Sequence, residues 1–323
     1  MNKRLQILQW PILMSMVLLS GSVYAQNYPA KQLTFVVPFI AGSATDQQAR
    51  VVAQGITEAT GISVIVDNKV GANGFIAAQA VAGAAPDGYT ILVSTNTTHA
   101  ANEHLFKKLP YDPVKDFEPI TALNKGSQIL IVNKNFPANS VKELIAAAKK
   151  NPGKYTFGSG SASSRLAVEL FQQMAGIQLL HVPYKSSPLA INDLIAGNID
   201  LMIVDAPNSL AQMKANNVRG LAVSGASRNP LAPELPTIAE AGVPGYEMSY
   251  WTAAWAPAKT PKSMIDKLNQ LMIAATKAEP AQKFYTSTGS ERYTTSPEGL
   301  AKFQALEANK WGAIIKEAKI ERE

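Results

Sequence analysis

Residues 33–46 have the sequence LTFVVPFIAGSATD, in which an apolar run leads into a short loop of small and polar residues. The run 33–39 is rich in β-branched and aromatic residues, which is typical of a buried strand. The residues after the loop predict a helix. Residues 155–164, YTFGSGSASS, repeat the same order of strand, Gly-Ser loop and helix. Two such units far apart in the chain predict an α/β protein with one unit in each of two domains.

Further apolar runs predict more strands, and helix signals lie between them. Continuous apolar runs suit strands that are covered on both faces, as in parallel sheets. Ser140 and Glu143 have the spacing of a helix capping box, while Ser187-Pro188 and Gly197 mark the start and the end of another helix. The other predicted strands are residues 63–66, 90–94, 129–132, 179–182, 201–204 and 221–224.

Two segments beside Pro and Gly residues, 116–123 and 246–256, look like extended crossings between the domains. They divide the chain into a first domain of residues 26–124 plus 251–323 and a second domain of residues 125–250. Two crossings make a hinge, and hinged domains enclose ligands between them. The sequence therefore predicts a ligand cleft between the two domains.

The N-terminus has the order of a secretory signal. Lys3 and Arg4 precede a mostly apolar stretch at residues 5–19, and Ala25 supplies a small residue for cleavage. We expect residues 1–25 to be a signal peptide that is cut after Ala25, so that the mature protein is periplasmic. An uncleaved anchor helix is the alternative, although the stretch is short for a membrane span.

Composition excludes several classes of protein. The chain of 323 residues has a formal net charge of +6 and no Cys. Its Lys and Arg residues are spread out rather than clustered with aromatic residues, so we expect no nucleic-acid partner. Without Cys there can be no disulfides, thiol nucleophiles, zinc–thiolate sites or iron–sulfur clusters. A chain of this length with 46% hydrophobic residues can bury a full core without disulfides.

The two Gly-Ser loops are the strongest candidates for a binding site. A helix N-terminus presents unpaired N–H groups and a partial positive charge, which suits a carboxylate or phosphate. The alternative is that the Ser and Thr residues only cap their helices. Arg165, on the first turn after the second loop, could bind a carboxylate or pair with Glu169. Asp46 could bind an ammonium group, but capping of its own helix is the stronger interpretation.

Polar residues also follow several predicted strands, where ligands gather in open α/β sheets. Residues 95–98 follow one strand, Asp205 follows another, and Tyr184 and Lys185 follow a third. A turn is the structural alternative at each place. The predicted ligand-binding residues are Phe39, Gly42, Ser43, Ala44, Thr45, Asp46, Thr95, Asn96, Thr97, Thr98, Ser159, Gly160, Ser161, Ser163, Arg165, Tyr184 and Asp205.

Catalytic and metal-binding patterns are poor. His99 and His104 are not at the i,i+4 spacing of a zinc helix, and neither an HExxH nor a GxSxG motif occurs. Residues 158–160 begin like a dinucleotide fingerprint, but Ser163 stands at the third glycine. We therefore expect neither an enzyme nor a bound metal or cofactor.

Several short motifs occur in an order that resembles one known family. The motifs are residues 28–29 (YP), 33–39 (LTFVVPF), 66–68 (VDN), 71–74 (GANG), 85–90 (APDGYT), 109–113 (LPYDP), 163–165 (SSR), 181–185 (HVPYK), 235–237 (LPT), 240–242 (EAG) and 244–247 (PGYE). With these motifs in this order, the chain is similar to the receptors of tripartite tricarboxylate transporters, the Bug family of periplasmic binding proteins.

The resemblance implies a type II, two-domain Venus-flytrap protein, each domain a mostly parallel sheet flanked by helices. It also implies a small carboxylate ligand (a di- or tricarboxylate, an acidic amino acid or an aromatic acid), held between the two loops without catalysis. The implied partner is a membrane permease of one large and one small subunit, and the receptor itself is expected to be a monomer. A periplasmic sensing module and a secreted hydrolase or lyase are the alternatives on the same fold.

Two departures from the family pattern concern the ligand. The first loop commonly carries two glycines, whereas Gly42 is followed by Ser43 here. The second loop has the Ser-Ser-Arg form, with Arg165, in place of a Gly-rich form that ends in His. The resemblance therefore does not carry a ligand identity from relatives to this chain.

Overall fold

A computed structural model describes residues 28–317 and 319–322. The signal peptide predicted at residues 1–25, with its cleavage site after Ala25, lies outside the described residues. The described strands are β1 (Leu33–Val37), β2 (Val64–Asn68), β3 (Thr90–Thr95), β4 (Phe117–Asn133), β5 (Thr156–Ser159), β6 (Leu180–Pro183), β7 (Leu201–Asp205), β8 (Val218–Val223), β9 (Ser249–Pro257) and β10 (Glu291–Arg292).

Helices separate most of these strands. They are α1 (Ala44–Thr60), α2 (Phe75–Ala82), α3 (Asn102–Leu105), α4 (Val141–Lys150), α5 (Ala162–Ala175), α6 (Ser187–Ala196), α7 (Ala206–Lys214), α8 (Lys262–Ala275), α9 (Glu279–Thr288) and α10 (Pro297–Glu317). A 3₁₀ turn at Ala72–Gly74 precedes α2, and a π-helical turn at Thr97–Ala101 precedes α3. The predicted helix signals are confirmed, because Ser140 caps α4 and Gly197 ends α6 in the left-handed conformation.

The strands form a curled mixed sheet with two parts that share β4. The first part has the order β2-β1-β3-β9-β4, with the short strand β10 also paired to β4. The second part has the order β8-β4-β7-β5-β6. The pairing of β4 with β9 ends at Ser127 and Ser249, and its pairing with β7 begins at Gln128 and Asp205. We call these the first sheet and the second sheet.

The α/β class is confirmed, but the sheets are mixed rather than mostly parallel. Pairing is parallel in β2-β1-β3 and in β7-β5-β6, whereas β9 runs antiparallel to β3 and β4, and β4 antiparallel to β7 and β8. The apolar pattern could not reveal this, because β4 and β9 are largely buried and therefore have the composition of parallel strands.

The predicted crossings at residues 116–123 and 246–256 are largely parts of β4 and β9 within the first sheet. The chain passes to the second sheet at Gln128 and returns before Ser249. The division into two domains stays a prediction.

One core cluster reaches across both sheets, and two large residues of β9 lie in it. Trp251 and Trp255 are each about 1% exposed. Their indole N–H groups donate to Glu307 and Gln304 on α10, at 2.8 and 3.1 Å. His99 stacks on Trp255 with ring centres 3.7 Å apart. These tryptophans therefore fix α10 to the sheet.

Candidate functional site

The loop between β1 and α1 is held by its own polar groups. Gly42 has a φ of +84°, which favours glycine, and Ser43 caps α1 by accepting a hydrogen bond from the Asp46 N–H. The Asp46 carboxylate accepts from the Gly42 N–H at 2.9 Å, from Asn68 Nδ2 at 2.9 Å and from Arg50 Nε at 3.0 Å. Asp46 thus shapes the loop, which agrees with the capping interpretation.

The loop between β5 and α5 has a capping box. Ser161 Oγ accepts from the Ser164 N–H at 3.2 Å, and Ser164 Oγ accepts from the Ser161 N–H at the same distance. Gly160 lies against the loop before α6, where a Cβ atom would stand 2.0 Å from backbone atoms of Ser186 and Ser187. Glycine is required here because a side chain would force the two loops apart.

These two helix N-termini, one from each sheet, line the same small cavity of about 20 Å³. The end of β3 and the end of β7 complete its wall, together with one residue of β9. We call it the inner cavity. Its lining residues are Phe39, Ser43, Ala44, Thr45, Thr95, Asn96, Ser161, Ser163, Ser187, Asp205 and Tyr250.

Hydrogen bonds across the inner cavity join elements of the two sheets. Asn96 Nδ2 donates to Ser163 Oγ at 3.3 Å, and the Ser163 N–H donates to Thr97 Oγ1 at 3.4 Å. At the outer edge, Asn208 Nδ2 on α7 donates to the Gly42 carbonyl at 3.1 Å. The two sheets are therefore closed on each other around the site.

A larger cavity of about 370 Å³ adjoins the inner one, since Phe39 and Ser161 line both. We call it the outer cavity. Its other lining residues are Pro38, Gly71, Asn73, Gly74, Leu105, Phe106, Ser159, Gly160, Ala162, Arg165, His181, Pro183, Tyr184 and Lys185. The site as a whole therefore has a small polar end and a roomier end that also contains apolar side chains.

The outer cavity contains two cationic side chains, Arg165 and Lys185. Arg165 Nε lies 3.7 Å from Glu169 Oε1, so the pairing with Glu169 is observed in a residue that also lines the outer cavity. Burial raises the pKa of Glu169, and Arg165 partly opposes that rise. Ser159 Oγ and His181 Nε2 are 2.7 Å apart and form a second polar pair in this cavity.

Asp205 is the acidic residue of the inner cavity. It ends β7, and Gln128 Nε2 donates to its Oδ1 at 3.2 Å. Gln128 also donates to Ser163 Oγ at 3.2 Å. Burial raises the pKa of Asp205 to about 6, although the hydrogen bond from Gln128 lowers it somewhat. A carboxyl group of this kind can change its charge near neutral pH.

Most of the predicted site residues are brought together by the fold. Four of them line neither cavity, namely Gly42, Asp46, Thr97 and Thr98. The Thr98 hydroxyl instead lies 2.7 Å from Ser94 Oγ and 2.8 Å from His99 Nδ1, inside the first sheet's packing. Thr97 contributes through its hydrogen bond with Ser163.

Sequence reasoning missed Tyr250 and Ser187 in the inner cavity and His181 in the outer one. Ser187 and His181 belong to the segments after β5 that pack against the Gly-Ser loop. Tyr250 reaches the cavity because β9 lies beside β4, and no local pattern around it shows that pairing. Only the order of strands in space could have revealed it.

The sequence matches the tripartite tricarboxylate transporter family receptor over residues 48–320. The chain is a member of this receptor family. A relative from Pseudomonas sp. strain P51, the UPF0065 protein in the tcbD-tcbE intergenic region, is 34% identical over 312 residues, which are 95% of this chain and 93% of the relative.

Solved structures give the same result for this receptor-family chain. R. palustris Rpa4515 with adipate has a TM-score of 0.89 at 36% identity, over 92% of this chain and 100% of that one. The periplasmic binding protein BugD has a TM-score of 0.87 at 33% identity, over 92% and 100%. In the part of the chain that the structure describes, no helix is both long and apolar enough to span a bilayer.

Proposed function

We propose that this protein is a periplasmic receptor that captures a small carboxylate between its two sheets. It would then deliver the ligand to the two-subunit permease of a tripartite transporter. The observation that carries the proposal is that the N-termini of α1 and α5, from different sheets, line one cavity. Helix N-termini stabilise anions through unpaired N–H groups and the helix dipole.

The chemistry of the two cavities fits opposite ends of one ligand. The inner cavity is lined by Ser43, Ala44 and Thr45 at the start of α1, where the N–H groups of a helix have no partner within the helix and the Ser43 hydroxyl adds a polar group, and these suit a carboxylate. The outer cavity has room for the carbon skeleton beside Phe39. Its cationic groups would bind a second anionic end. The neighbouring protein Rpa4515, with adipate, supports a ligand of this class.

Thermal denaturation of the purified protein with a panel of mono-, di- and tricarboxylates tests the proposal. A true ligand at 100 times its Kd should stabilise the fold by about 2.7 kcal/mol. Ligand recovered unchanged after a long incubation would agree with binding without turnover. The proposal fails if no carboxylate shifts the melting temperature while the protein remains folded.

Uptake of the same carboxylate by cells that lack the protein tests the transport step. We expect uptake to fall and to return when the gene is restored. Normal uptake combined with lost induction of transport genes would instead identify a sensing module.

A further inference from the structure

Asn96 carries a buried acceptor atom that the protein does not use. Its side chain is fully buried and lines the inner cavity, and none of the described residues (28–317 and 319–322) gives its Oδ1 atom a hydrogen bond. The orientation of the amide is set by Nδ2, which donates to Ser163 Oγ at 3.3 Å and to the Ser249 carbonyl at 3.5 Å. Because a buried acceptor without a donor is costly, Asn96 Oδ1 requires a donor from outside the chain.

Asp205 adds an acceptor to the same wall, and Tyr250 adds a hydroxyl that can accept or donate. The hydrogen bond that Asp205 receives comes from the neutral amide of Gln128, at 3.2 Å, and ion pairs among the described residues do not include Asp205. The Gln128 Oε1 atom is also buried without a partner. Tyr250 is about 2% exposed. Within the part of the chain that the structure describes, its hydroxyl has no hydrogen bond of good geometry, although Ser290 is close enough to lower its pKa somewhat.

The two sides of the inner cavity therefore offer different hydrogen-bonding groups. Its α1 and α5 side offers donors. Its β3, β7 and β9 side offers Asn96 Oδ1 and the Tyr250 hydroxyl, for which the described residues supply no well-placed partner, and the Asp205 carboxylate, which accepts from the neutral amide of Gln128. A plain carboxylate would satisfy only the donors. We propose that Asn96, Asp205 and Tyr250 form a subsite for a hydrogen-bond donor carried by the ligand, so that the receptor selects carboxylates bearing an ammonium or hydroxyl group. This inference rests on the proposed function.

The charges around Asp205 favour the ammonium group. Charged side chains on neighbouring elements already have partners: Arg50 pairs with Asp46 on α1, Arg165 with Glu169 on α5, and Lys125 on β4 with Glu291 on β10. Tyr250 is the titratable group that faces Asp205 from β9. An ammonium group would supply the missing opposite charge, and a hydroxyl group would supply a hydrogen bond alone.

Two matched series of acids test the subsite by titration calorimetry with the full protein at pH 7.5. One series is succinate, L-malate and L-aspartate, and the other is adipate, 2-hydroxyadipate and L-2-aminoadipate. We expect the amino acid of at least one series to bind about ten-fold or more tightly than its unsubstituted parent, with the hydroxy acid between them.

Asp205→Asn should remove most of the amino acid's advantage over its unsubstituted parent. Should that variant fail to fold, Tyr250→Phe keeps the same volume and should reduce the advantage by a few-fold. Asp266→Asn, at an exposed ion pair on α8, is the control and should change nothing.

The inference is overturned if unsubstituted acids bind as tightly as the substituted ones. It is also overturned if the preference survives in Asp205→Asn, since water molecules would then hold the acceptors. Either result leaves the carboxylate receptor intact. If no acid of either series or of the wider panel binds, the proposed function fails and the subsite fails with it.

Discussion

At the scale of single residues, Arg165 has an unusual position. It stands on the first turn of α5, where a cation opposes the helix dipole, yet it faces the outer cavity and lies 3.7 Å from Glu169. A residue that weakens its own helix in this way is expected to contribute elsewhere. Binding the second anionic end of a ligand is the contribution that its place in the cavity allows.

Arg165→Ala should weaken binding of a dicarboxylate by about 2–5 kcal/mol, because the second carboxylate of the ligand would then be partly buried without a cation beside it. Calorimetric titration measures the change. Arg228→Ala is a suitable control, since Arg228 pairs with Glu240 at an exposed site. Unchanged affinity in Arg165→Ala would show that Arg165 does not bind the ligand.

Prediction from the sequence agrees with the structure for residues whose position is set by a local loop. It differs for residues whose position is set by tertiary packing. Ser43 and Ser161 cap their helices and line the cavity, as the Gly-Ser loops predict. Thr98 lies in a π-helical turn that directs its hydroxyl to Ser94, and a run of Thr residues gives no sign of such a turn.

At the scale of elements, hydrogen bonds at the N-terminus of α5 both stabilise the helix and hold the loop of the proposed binding site. Ser164 Oγ accepts from the N–H groups of Gly160 and Ser161, each at 3.2 Å, and donates to the Ser161 carbonyl at 3.0 Å. Ser140 likewise holds the N-terminus of α4, because its Oγ accepts from the Glu143 N–H at 3.2 Å. The α4 N-terminus lines neither cavity, whereas Ser161 and Ala162 at the start of α5 line the outer one. The pair offers a matched comparison.

Ser164→Ala and Ser140→Ala should each lower the free energy of unfolding by about 1 kcal/mol, measured by urea denaturation. Only Ser164→Ala should also weaken carboxylate binding, by about three- to ten-fold, because it loosens the loop that positions the N–H groups. Equal affinities in the two variants would contradict a role for the α5 cap in the site.

Elements were predicted well wherever one strand leads into one helix. The strands at 33–39, 90–94 and 201–204 agree with β1, β3 and β7 within two residues at either end. Strand β4 was predicted as two pieces, because a 17-residue strand that serves two sheets has no pattern of its own. Its register with β9, which brings Tyr250 to the site, is a property of tertiary pairing.

At the scale of the whole molecule, two buried groups give stability opposite dependences on pH. Burial raises the pKa of Asp205 from 3.8 to about 6, so stability is lost as pH rises through that window. Burial lowers the pKa of His99 from 6.5 to about 3, so stability is lost as the pH falls between those two values. Between about pH 4 and 6 the two effects oppose each other.

The variant Asp205→Asn should separate the effect of Asp205 on stability from that of His99. The variant keeps the hydrogen-bonding shape but cannot ionise, so its stability relative to wild type should be greater at pH 7.5 than at pH 4.5. The change between the two pH values should be about 2 kcal/mol in the unliganded protein. Urea denaturation at both values measures it, and a difference that does not change with pH would show that Asp205 is not destabilised by its burial.

The small size of the inner cavity has a consequence for kinetics. A space of about 20 Å³ holds about one water molecule, so a ligand can reach it only after the hydrogen bonds from Asn208 to Gly42 and from Asn96 to Ser163 break. Opening of the contact between the two sheets therefore controls how fast the ligand enters. In stopped-flow experiments the observed binding rate should level off at high ligand concentration, and Asn208→Ala should raise that limit.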